Sequence, residues 1–516
     1  MLNSNVVQLS RRQFGAFSMS WLVGSLAATR LSAIPPRPKL FILLVAEQFR
    51  SDYLTRFNAQ FGSGGFRKLM EEGAFFPDCR MAASSFSATG LATIATGAYP
   101  DAHGIVAESW YDPASKKIIA ARPTLNRAST LADQIAIADN RNRVFALAAD
   151  RARAALLVQS ATVEDLHHIL LTLEEPSEPA RDEPAWVEAF RRTHPASRFK
   201  DAKWQAFQAD ADAPALRVMV DDPTRPDEFT ALYNASPFAQ ENQFEFLRTM
   251  IAEEKLGQMA GFDFVCVALN SMARLGYETG ADSPLMREMV LHLDHQIELT
   301  LDVLRKTTGA GSFELGFAGA HGVAPAEGTS IDGTAVAKAA DDALSAAFDL
   351  SNFKNHYVER YLYPFLYLNH GQLRQHGIDP AKARRVAGEA ALRSVPGVAA
   401  FYTADGVSSR SGEWLRRFQN SFDARRSGDV MLAYEPNVVE RYGAGRGISY
   451  GSLYNYDVQT PLLLYGPQFR AVIDEDPIDS VDIAPTLARA LRVAAPSANA
   501  GRVLSGAFAP DVKVGK

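Results

Sequence analysis

The chain has 516 residues, of which 47% are hydrophobic and 22% are charged. This composition excludes an intrinsically disordered chain and supplies enough apolar material for one large core or two smaller ones. The formal net charge of −6 argues against a general nucleic-acid-binding protein, because phosphate backbones are bound mainly through Lys and Arg.

The first residues have the pattern of an export signal. The motif Ser10-Arg11-Arg12-Gln13-Phe14 precedes an apolar stretch over residues 14–28, which is typical of twin-arginine signals. We therefore predict a signal peptide over residues 1–33 and a periplasmic or extracellular mature protein, with an ordinary amphipathic first helix as the alternative. No later segment has the roughly 18 unbroken apolar residues of a spanning helix, so we predict no membrane span in the mature protein.

Short apolar runs alternate with helical patterns along the rest of the chain. Helical patterns cover residues 285–306 and 483–493, and the apolar runs cover residues 40–46, 144–148, 264–269, 313–318 and 461–465. Such runs suit strands that are buried on both faces of a parallel sheet, and their alternation with helices predicts a doubly wound α/β fold. The two cysteines, Cys79 and Cys266, are too few for a disulfide framework, and we interpret both as structural.

Two stretches interrupt this alternation and suggest the domain organisation. Residues 171–235 are polar and rich in Pro, Asp and Arg, and residues 353–450 contain a strand-helix-strand pattern. We predict a core over 39–352 with a polar insertion near 171–235, a small α+β cap over 353–450, and a return to the core over 451–516. Because open α/β sheets bind ligands beyond the carboxyl ends of their strands, the residues that follow each apolar run are candidate site residues.

Several motifs occur in an order that resembles one known family. These are Glu47-Gln48-Phe49-Arg50-Ser51-Asp52, Gly64-Gly65-Phe66, Ser87-Ala88-Thr89-Gly90, His103-Gly104-Ile105, His321-Gly322, Asn455-Tyr456-Asp457 and Asp482-Ile483-Ala484-Pro485. They resemble motifs of the type I phosphodiesterases and nucleotide pyrophosphatases, together with their phosphomonoesterase relatives, in the alkaline phosphatase superfamily. The resemblance extends over nearly the whole mature chain and implies an alkaline-phosphatase-like sheet with helices on both faces.

The family resemblance also implies a catalytic site with two zinc-like metals and a hydroxyl nucleophile. Ser87 matches the nucleophile, although a Ser at this place is also a favoured helix cap. Glu47 stands where the family has an Asp ligand, and His321 matches a His ligand. These three side chains are the remnants of the implied site.

Four other ligand positions have lost their donors. They are Ala273 and Tyr277 in place of an Asp and a His, Ala320 in place of an Asp, and Gln459 in place of a late His. Metal ligands must be donors of the right type at about 2 Å from the ion. We therefore expect no cofactor, with zinc or another divalent metal as the alternative.

The residues that would hold the phosphate have also changed. Glu108 replaces an Asn, and a carboxylate repels a phosphate dianion unless it is protonated or bridged by a cation. Ala149 and Arg151 stand where the monoesterase relatives have a Lys and an Arg. Arg151 is a candidate substrate-binding residue, with a surface or cap-facing salt bridge as the alternative.

A rebuilt metal site is the condition under which the chain would still be a metal-dependent hydrolase. Asn270, Glu278 and Asp457 lie near the lost positions in sequence and are candidates for replacement ligands. None of them has the spacing of a known site.

Three functional hypotheses follow from these observations. The first is a catalytically impaired or inactive hydrolase-like protein that binds an unidentified small-molecule or protein ligand, or acts as a scaffold, in the cell envelope. The second is an active phosphoric or sulfuric ester hydrolase with a rebuilt site and Ser87 as nucleophile. The third is a purely structural protein without a ligand, and we favour the first.

Overall fold

The computed structural model describes residues 37–162, 168–173, 183–210, 212–325, 329–348, 356–440 and 450–509. The predicted signal peptide over 1–33 lies outside these residues. Arg37–Phe508 form one unit. None of the helices described is both long and apolar enough to cross a membrane.

The strands within the described residues are numbered here in chain order. They are β1 (Leu40–Glu47), β2 (Ala74–Arg80), β3 (Ser109–Asp112), β4 (Lys117–Ala120), β5 (Arg143–Ala148), β6 (His168–Thr172), β7 (Lys203–Trp204), β8 (Arg217–Val218), β9 (Asp263–Leu269), β10 (Phe313–His321), β11 (Ser330–Ile331), β12 (Val358–Leu362), β13 (Phe365–Leu368), β14 (Val398–Thr403), β15 (Val430–Tyr434), β16 (Val439–Glu440), β17 (Gln459–Tyr465), β18 (Val472–Ile473) and β19 (Ile478–Asp479).

The α-helices of the same residues are numbered in the same way. They are α1 (Asp52–Arg56), α2 (Phe66–Glu72), α3 (Ser87–Thr96), α4 (Pro100–His103), α5 (Leu131–Ala138), α6 (Arg151–Val158), α7 (Ala185–Thr193), α8 (Pro226–Asn234), α9 (Pro237–Glu253), α10 (Ser271–Thr279), α11 (Pro284–Thr307), α12 (Gly333–Ala347), α13 (His370–Gln375), α14 (Pro380–Ser394), α15 (Glu413–Ser421), α16 (Asn455–Val458) and α17 (Ile483–Leu491). Short 3₁₀ helices cover Asn58–Gln60, Pro123–Leu125, Ala196–Phe199, Ser480–Asp482 and Ser505–Ala507.

A nine-stranded sheet forms the centre of the fold, in the order β18-β2-β17-β10-β1-β9-β5-β6, with β19 also paired to β2. β1 is parallel to both of its neighbours, β9 and β10. Every residue of β1, β9 and β10 is buried, which is the expected result for parallel strands covered by helices on both faces. The predicted α/β fold is confirmed.

Strand β17 differs from the interpretation of its apolar run as a parallel strand. It is antiparallel to both β10 and β2. Strand β2, which contains Pro77, was not predicted from the sequence. Proline cannot donate to the ladder and is tolerated at bulges, and the register between β17 and β2 shifts between Thr460 and Leu462, opposite Pro77.

The cap contains a second sheet, of four strands in the order β12-β13-β15-β14. Helix α14 packs on this sheet against β14, as the strand-helix-strand pattern predicts. Helix α12 lies within the predicted core range of 39–352 but packs against α14 and β12. The cap layer therefore begins before residue 353.

The predicted insertion near 171–235 begins inside the central sheet, because Leu171 and Thr172 belong to edge strand β6. The part described after β6 contains α7, the two-stranded β7-β8 ribbon and α8. Trp204 on this ribbon is 1% exposed and belongs to the core cluster of the central sheet. The insertion is thus anchored to the core by a large apolar side chain.

The loop that enters α2 is fixed by one buried carboxylate on the long helix α11. Asp294 accepts a hydrogen bond from the backbone N–H of Gly62 at 2.8 Å and another from that of Phe66 at 2.6 Å. A Cβ atom on Gly65 would lie 2.2 Å from the Asp294 Oδ1. Only glycine therefore allows this close approach between the loop and α11.

Candidate active site at the carboxyl edge of the sheet

The candidate site is built where β1 and β10 end side by side. Glu47 and His321 are paired residues at the ends of these two strands. Ser87 is the first residue of α3, and a Cβ atom on Gly90 would lie 2.4 Å from the carbonyl oxygen of Ala320. This close packing of α3 against β10 brings the amino end of the helix to the end of the sheet.

Ser87 and His321 form a hydrogen-bonded pair. The Ser87 Oγ lies 2.8 Å from the His321 Nε2, and the His321 Nδ1 lies 2.7 Å from the carbonyl oxygen of Gly322. A carbonyl can only accept, so Nδ1 carries the proton and Nε2 is free to accept from the serine hydroxyl. Burial, reinforced by the positive charge of Arg153, lowers the pKa of His321 to about 4, and the ring is neutral at pH 7.

An aromatic side chain covers this pair. The ring of Tyr450 stacks on that of His321 with centroids 4.9 Å apart and an interplanar angle of 19°. Burial, followed by the nearby carboxylates of Glu108 and Glu47, raises the pKa of Tyr450, and its interaction with the Ser87 hydroxyl partly opposes this. Ser87 is 2% exposed and His321 is fully buried.

The carboxylate of Glu47 is paired with a guanidinium. Glu47 is fully buried, and its Oε1 accepts from the Arg153 Nε at 2.7 Å. Arg153 also donates to Asp150 at 2.7 Å. Burial opposes the charge on Arg153, but the carboxylates of Glu47, Asp150 and Glu108 outweigh this and raise its pKa. A fixed cation therefore neutralises the buried carboxylate.

Glu108 lies at the amino end of α3. Its Oε1 accepts from the backbone N–H of Ala88 at 2.9 Å. Burial raises the pKa of Glu108, partly opposed by the Ala88 N–H and by Arg153. An exposed helix N–H is where an anionic ligand would bind, so the protein's own carboxylate fills this place.

Arg153 is the arginine that contacts Glu47, and Arg151, the predicted substrate-binding residue, lies two residues earlier. Arg151 begins α6 and its side chain is exposed. Asp150 caps this helix through the backbone N–H of Arg153, at 3.0 Å. Arg153 points back toward Glu47, and sequence reasoning missed it. The available signal was a second arginine in the first turn after strand β5.

The four positions expected to have lost metal donors lie on three elements: Ala273 and Tyr277 on α10, Ala320 on β10 and Gln459 on β17. Ala320 is buried in β10, whereas Tyr277 on α10 is 42% exposed. Gln459 lines a separate surface depression together with Arg50 and Asp52. Tyr450 is the aromatic residue whose ring stacks on that of His321. It was not identified from the sequence, although it precedes the Asn455-Tyr456-Asp457 motif by only a few residues.

Two of the candidate replacement ligands, Glu278 and Asp457, bond to other groups, and the third, Asn270, precedes α10 at the end of β9. Glu278 forms an ion pair with Arg217 at 2.7 Å. Asp457 accepts from the backbone N–H of Ser452 at 3.0 Å. Within the described part of the chain, no three His, Cys, Asp or Glu side chains are grouped so that they could hold a metal ion. The donors in the described residues therefore do not fit a two-metal centre.

Asp457 gives the stability of the protein a pH dependence that can be measured. It is fully buried, one of its oxygens has no hydrogen-bond partner, and burial raises its pKa to about 7. Because the folded-state pKa is above the unfolded value, its stabilising contribution is complete below about pH 4 and is lost as the pH rises to about 7. Over this pH range, the free energy of unfolding of the Asp457→Asn variant should fall by on the order of 3 kcal/mol less than that of the wild type.

Urea unfolding at pH 4 to 8 tests this expectation. The control is Asp476→Asn, at an exposed carboxylate, which should keep the wild-type pH profile. Equal profiles for all three proteins would contradict a raised pKa at Asp457.

The chain is similar in sequence to known protein families and relatives. A sequence profile for type I phosphodiesterase / nucleotide pyrophosphatase matches residues 41–447. The chain is 25% identical over 514 residues to the alkaline phosphatase PhoV of Synechococcus elongatus, with 91% of this chain and 92% of the relative covered. It is 22% identical over 533 residues to the alkaline phosphatase PafA of Elizabethkingia meningoseptica, with 93% and 96% covered.

Solved structures share the fold. The wild-type alkaline phosphatase PafA has a TM-score of 0.79 at 20% identity, covering 92% of this chain and 99% of its own. Murine ectonucleotide pyrophosphatase / phosphodiesterase 5 has a TM-score of 0.53 at 14% identity, covering 88% and 95%. At these identities the likeness establishes the fold alone.

Proposed function

Because the chain belongs to the type I phosphodiesterase / nucleotide pyrophosphatase family, we propose that it is a member without the two-metal centre, and that it binds a ligand instead of hydrolysing phosphate esters. We further propose that it does so as a binding or scaffolding protein in the cell envelope. The observation that carries this proposal is the ion pair between Glu47 and Arg153.

That ion pair supports a site that needs no metal. A buried carboxylate in a two-metal centre is neutralised by the ions it binds. Here the guanidinium of Arg153 supplies the positive charge from α6. The side chains of His321 and Glu108 are also occupied, by Ser87 and by the Ala88 N–H.

Glu108 also argues against tight binding of a phosphate dianion. Its carboxylate occupies the backbone N–H of Ala88, at the amino end of α3. An incoming phosphate would have to displace this carboxylate and would meet its negative charge. The ligand we propose is therefore not a simple phosphate monoester.

A second candidate is a metal-independent hydrolase, which the Ser87–His321 hydrogen bond of 2.8 Å favours. In such a reaction the Ser87 proton passes to the His321 Nε2 while the Oγ bonds to the phosphorus or sulfur atom of an ester. The leaving alcohol then takes the proton from His321, and water releases the product by the reverse path. The neutral state of His321 above pH 4 is the state that this base needs.

Metal content and turnover distinguish these possibilities. The full chain is incubated with zinc, dialysed and analysed for metal, and assayed with nitrophenyl phosphate, bis-nitrophenyl phosphate and nitrophenyl sulfate. We expect no stoichiometric zinc and no turnover above that of the Ser87→Ala variant. The matched control is Ser84→Ala, which removes a nearby buried hydroxyl without a hydrogen-bond partner.

Two results would replace the proposal. About two bound metals per chain, with turnover lost in Ser87→Ala but not in Ser84→Ala, would show a rebuilt metal site. Turnover without metal that is lost in both Ser87→Ala and His321→Gln would establish the second candidate.

A further inference from the structure

A cavity of about 350 Å³ lies between the inserted helices α7 and α8 and the carboxyl edge of the central sheet. We propose that this cavity binds a small, neutral, aromatic molecule that carries a hydrogen-bond-accepting oxygen, such as a ketone or an amide. Its volume is in the range of small-molecule sites. Its lining includes none of Glu47, Ser87, Glu108, Arg153 and His321.

The position of the cavity is the one at which open α/β sheets bind ligands. Ala149 follows β5 directly, and Asn270 and Ser271 follow β9; all three line the cavity. β5 and β9 are parallel neighbours in the sheet. The floor of the cavity is therefore made by the ends of two adjacent parallel strands.

Two pairs of aromatic rings form part of the cavity wall. Phe229 and Tyr233 of α8 lie with ring centroids 6.0 Å apart and an interplanar angle of 18°. A second pair is formed by Phe190 and His194, whose rings stack with centroids 4.3 Å apart and an angle of 4°. All four residues line the cavity, and an aromatic lining favours an aromatic ligand.

One hydrogen-bond donor at the floor has no partner. Asn270 is 3% exposed, and its amide nitrogen is buried without a hydrogen-bond partner. Its amide neighbours are satisfied, because Gln243 donates to the carbonyl of Ala268 at 2.9 Å and Asn242 donates to the Tyr233 hydroxyl at 3.0 Å. A buried unpaired donor is costly, and an acceptor oxygen on a ligand would satisfy it once the Asn270 side-chain amide turns toward the cavity.

The charge balance of the cavity selects a neutral ligand. Among the described residues that line it, none is an Asp or a Glu. Arg191 is paired with Glu183 through two hydrogen bonds of 2.7 and 2.8 Å and also donates to the carbonyl of Thr172 at 2.7 Å. A charged ligand would have to leave water without an opposite charge available to it.

The test uses the fluorescent naphthyl ketone prodan and its ketone-free analogue dimethylaminonaphthalene, titrated with the full chain. We expect saturable one-to-one binding of prodan with blue-shifted emission, about fivefold tighter than binding of the analogue, from one hydrogen bond. The Asn270→Leu variant should abolish this fivefold difference while it still binds the analogue. Asn270 makes no side-chain cap to α10, so this change removes no helix cap.

Filling the cavity provides a second variant. Ala239 lines the cavity and is 8% exposed. The larger side chain of Ala239→Leu should weaken the binding of both probes at least tenfold. Ala337→Leu, in a separate surface depression, and Ser87→Ala should bind both probes as the wild type does. Thermal unfolding of each variant verifies that it is folded.

The absence of saturable prodan binding to the wild-type chain would overturn the proposal. An unchanged ratio of the two affinities in Asn270→Leu would also overturn it, and this result does not depend on whether Ala239→Leu folds. Because Ser87→Ala leaves this site intact, failure here is distinguishable from failure of the proposed function.

Discussion

Replacing Arg153 with methionine should lower the free energy of unfolding by about 3–5 kcal/mol, because the change leaves a buried carboxylate without its cation. Glu47 is fully buried, its Oε2 has no hydrogen-bond partner, and its Oε1 is held by the Arg153 Nε at 2.7 Å. Methionine preserves much of the apolar stem but none of the charge. Urea unfolding of the two proteins at pH 7 measures the difference.

Arg151→Met is the matched control for this variant. Arg151 lies two residues earlier on the same helix, and its side chain is exposed, so the change should cost less than about 0.5 kcal/mol. The double variant Glu47→Gln with Arg153→Met should recover part of the loss, because it removes the unpaired charge as well. Equal costs for the Arg153 and Arg151 variants would contradict the role given to this ion pair.

The second large effect is expected at Asp294, where alanine should destabilise the protein by about 2–5 kcal/mol. The change removes the acceptor of two backbone N–H groups, those of Gly62 and Phe66. The buried Phe66 donor left unsatisfied costs about 1–3 kcal/mol, and loss of the part-buried bond from Gly62 adds about 0.5–1.5 kcal/mol. Both donors belong to the loop that enters α2, so the loop should lose protection as well. Urea unfolding together with amide hydrogen exchange at Gly62 and Phe66 measures both effects.

His295→Ala is the control, since His295 is the next residue of α11 and its side chain is 41% exposed. It should cost less than about 1 kcal/mol. The Asp294→Asn variant retains one acceptor oxygen and should fall between the two. A loss in Asp294→Ala no larger than in His295→Ala would mean that the carboxylate does not hold the loop.

The strands predicted best from the sequence are those whose environment is uniform. β1, β9 and β10 are buried on both faces, so a continuous apolar run is sufficient to identify them. β17 also contains a continuous apolar run, but whether it is parallel or antiparallel depends on the strands with which it pairs. β2 was missed because Pro77 interrupts it, and only the pairing with β17 shows that a bulge accommodates the proline.

Only part of the candidate site could be predicted from the sequence, because only some of its residues lie in linear motifs. Glu47, Ser87 and His321 belong to linear motifs, and the structure brings them together at one edge of the sheet. Arg153 and Tyr450 belong to no such motif. Arg153 reaches Glu47 only because Asp150 begins the helix where it does, and Tyr450 contacts His321 from a distant part of the chain.

The two thiols have a consequence for how the chain can mature. Cys79 lies in β2 and Cys266 in β9, four steps apart in the central sheet, which is about 19 Å at the usual strand spacing. A disulfide requires Cα atoms within about 7 Å, and burial raises the pKa of both thiols. The folded chain can neither form an internal disulfide nor present a reactive thiolate, so it can complete its folding in a reducing environment and keep the same covalent structure in an oxidising one.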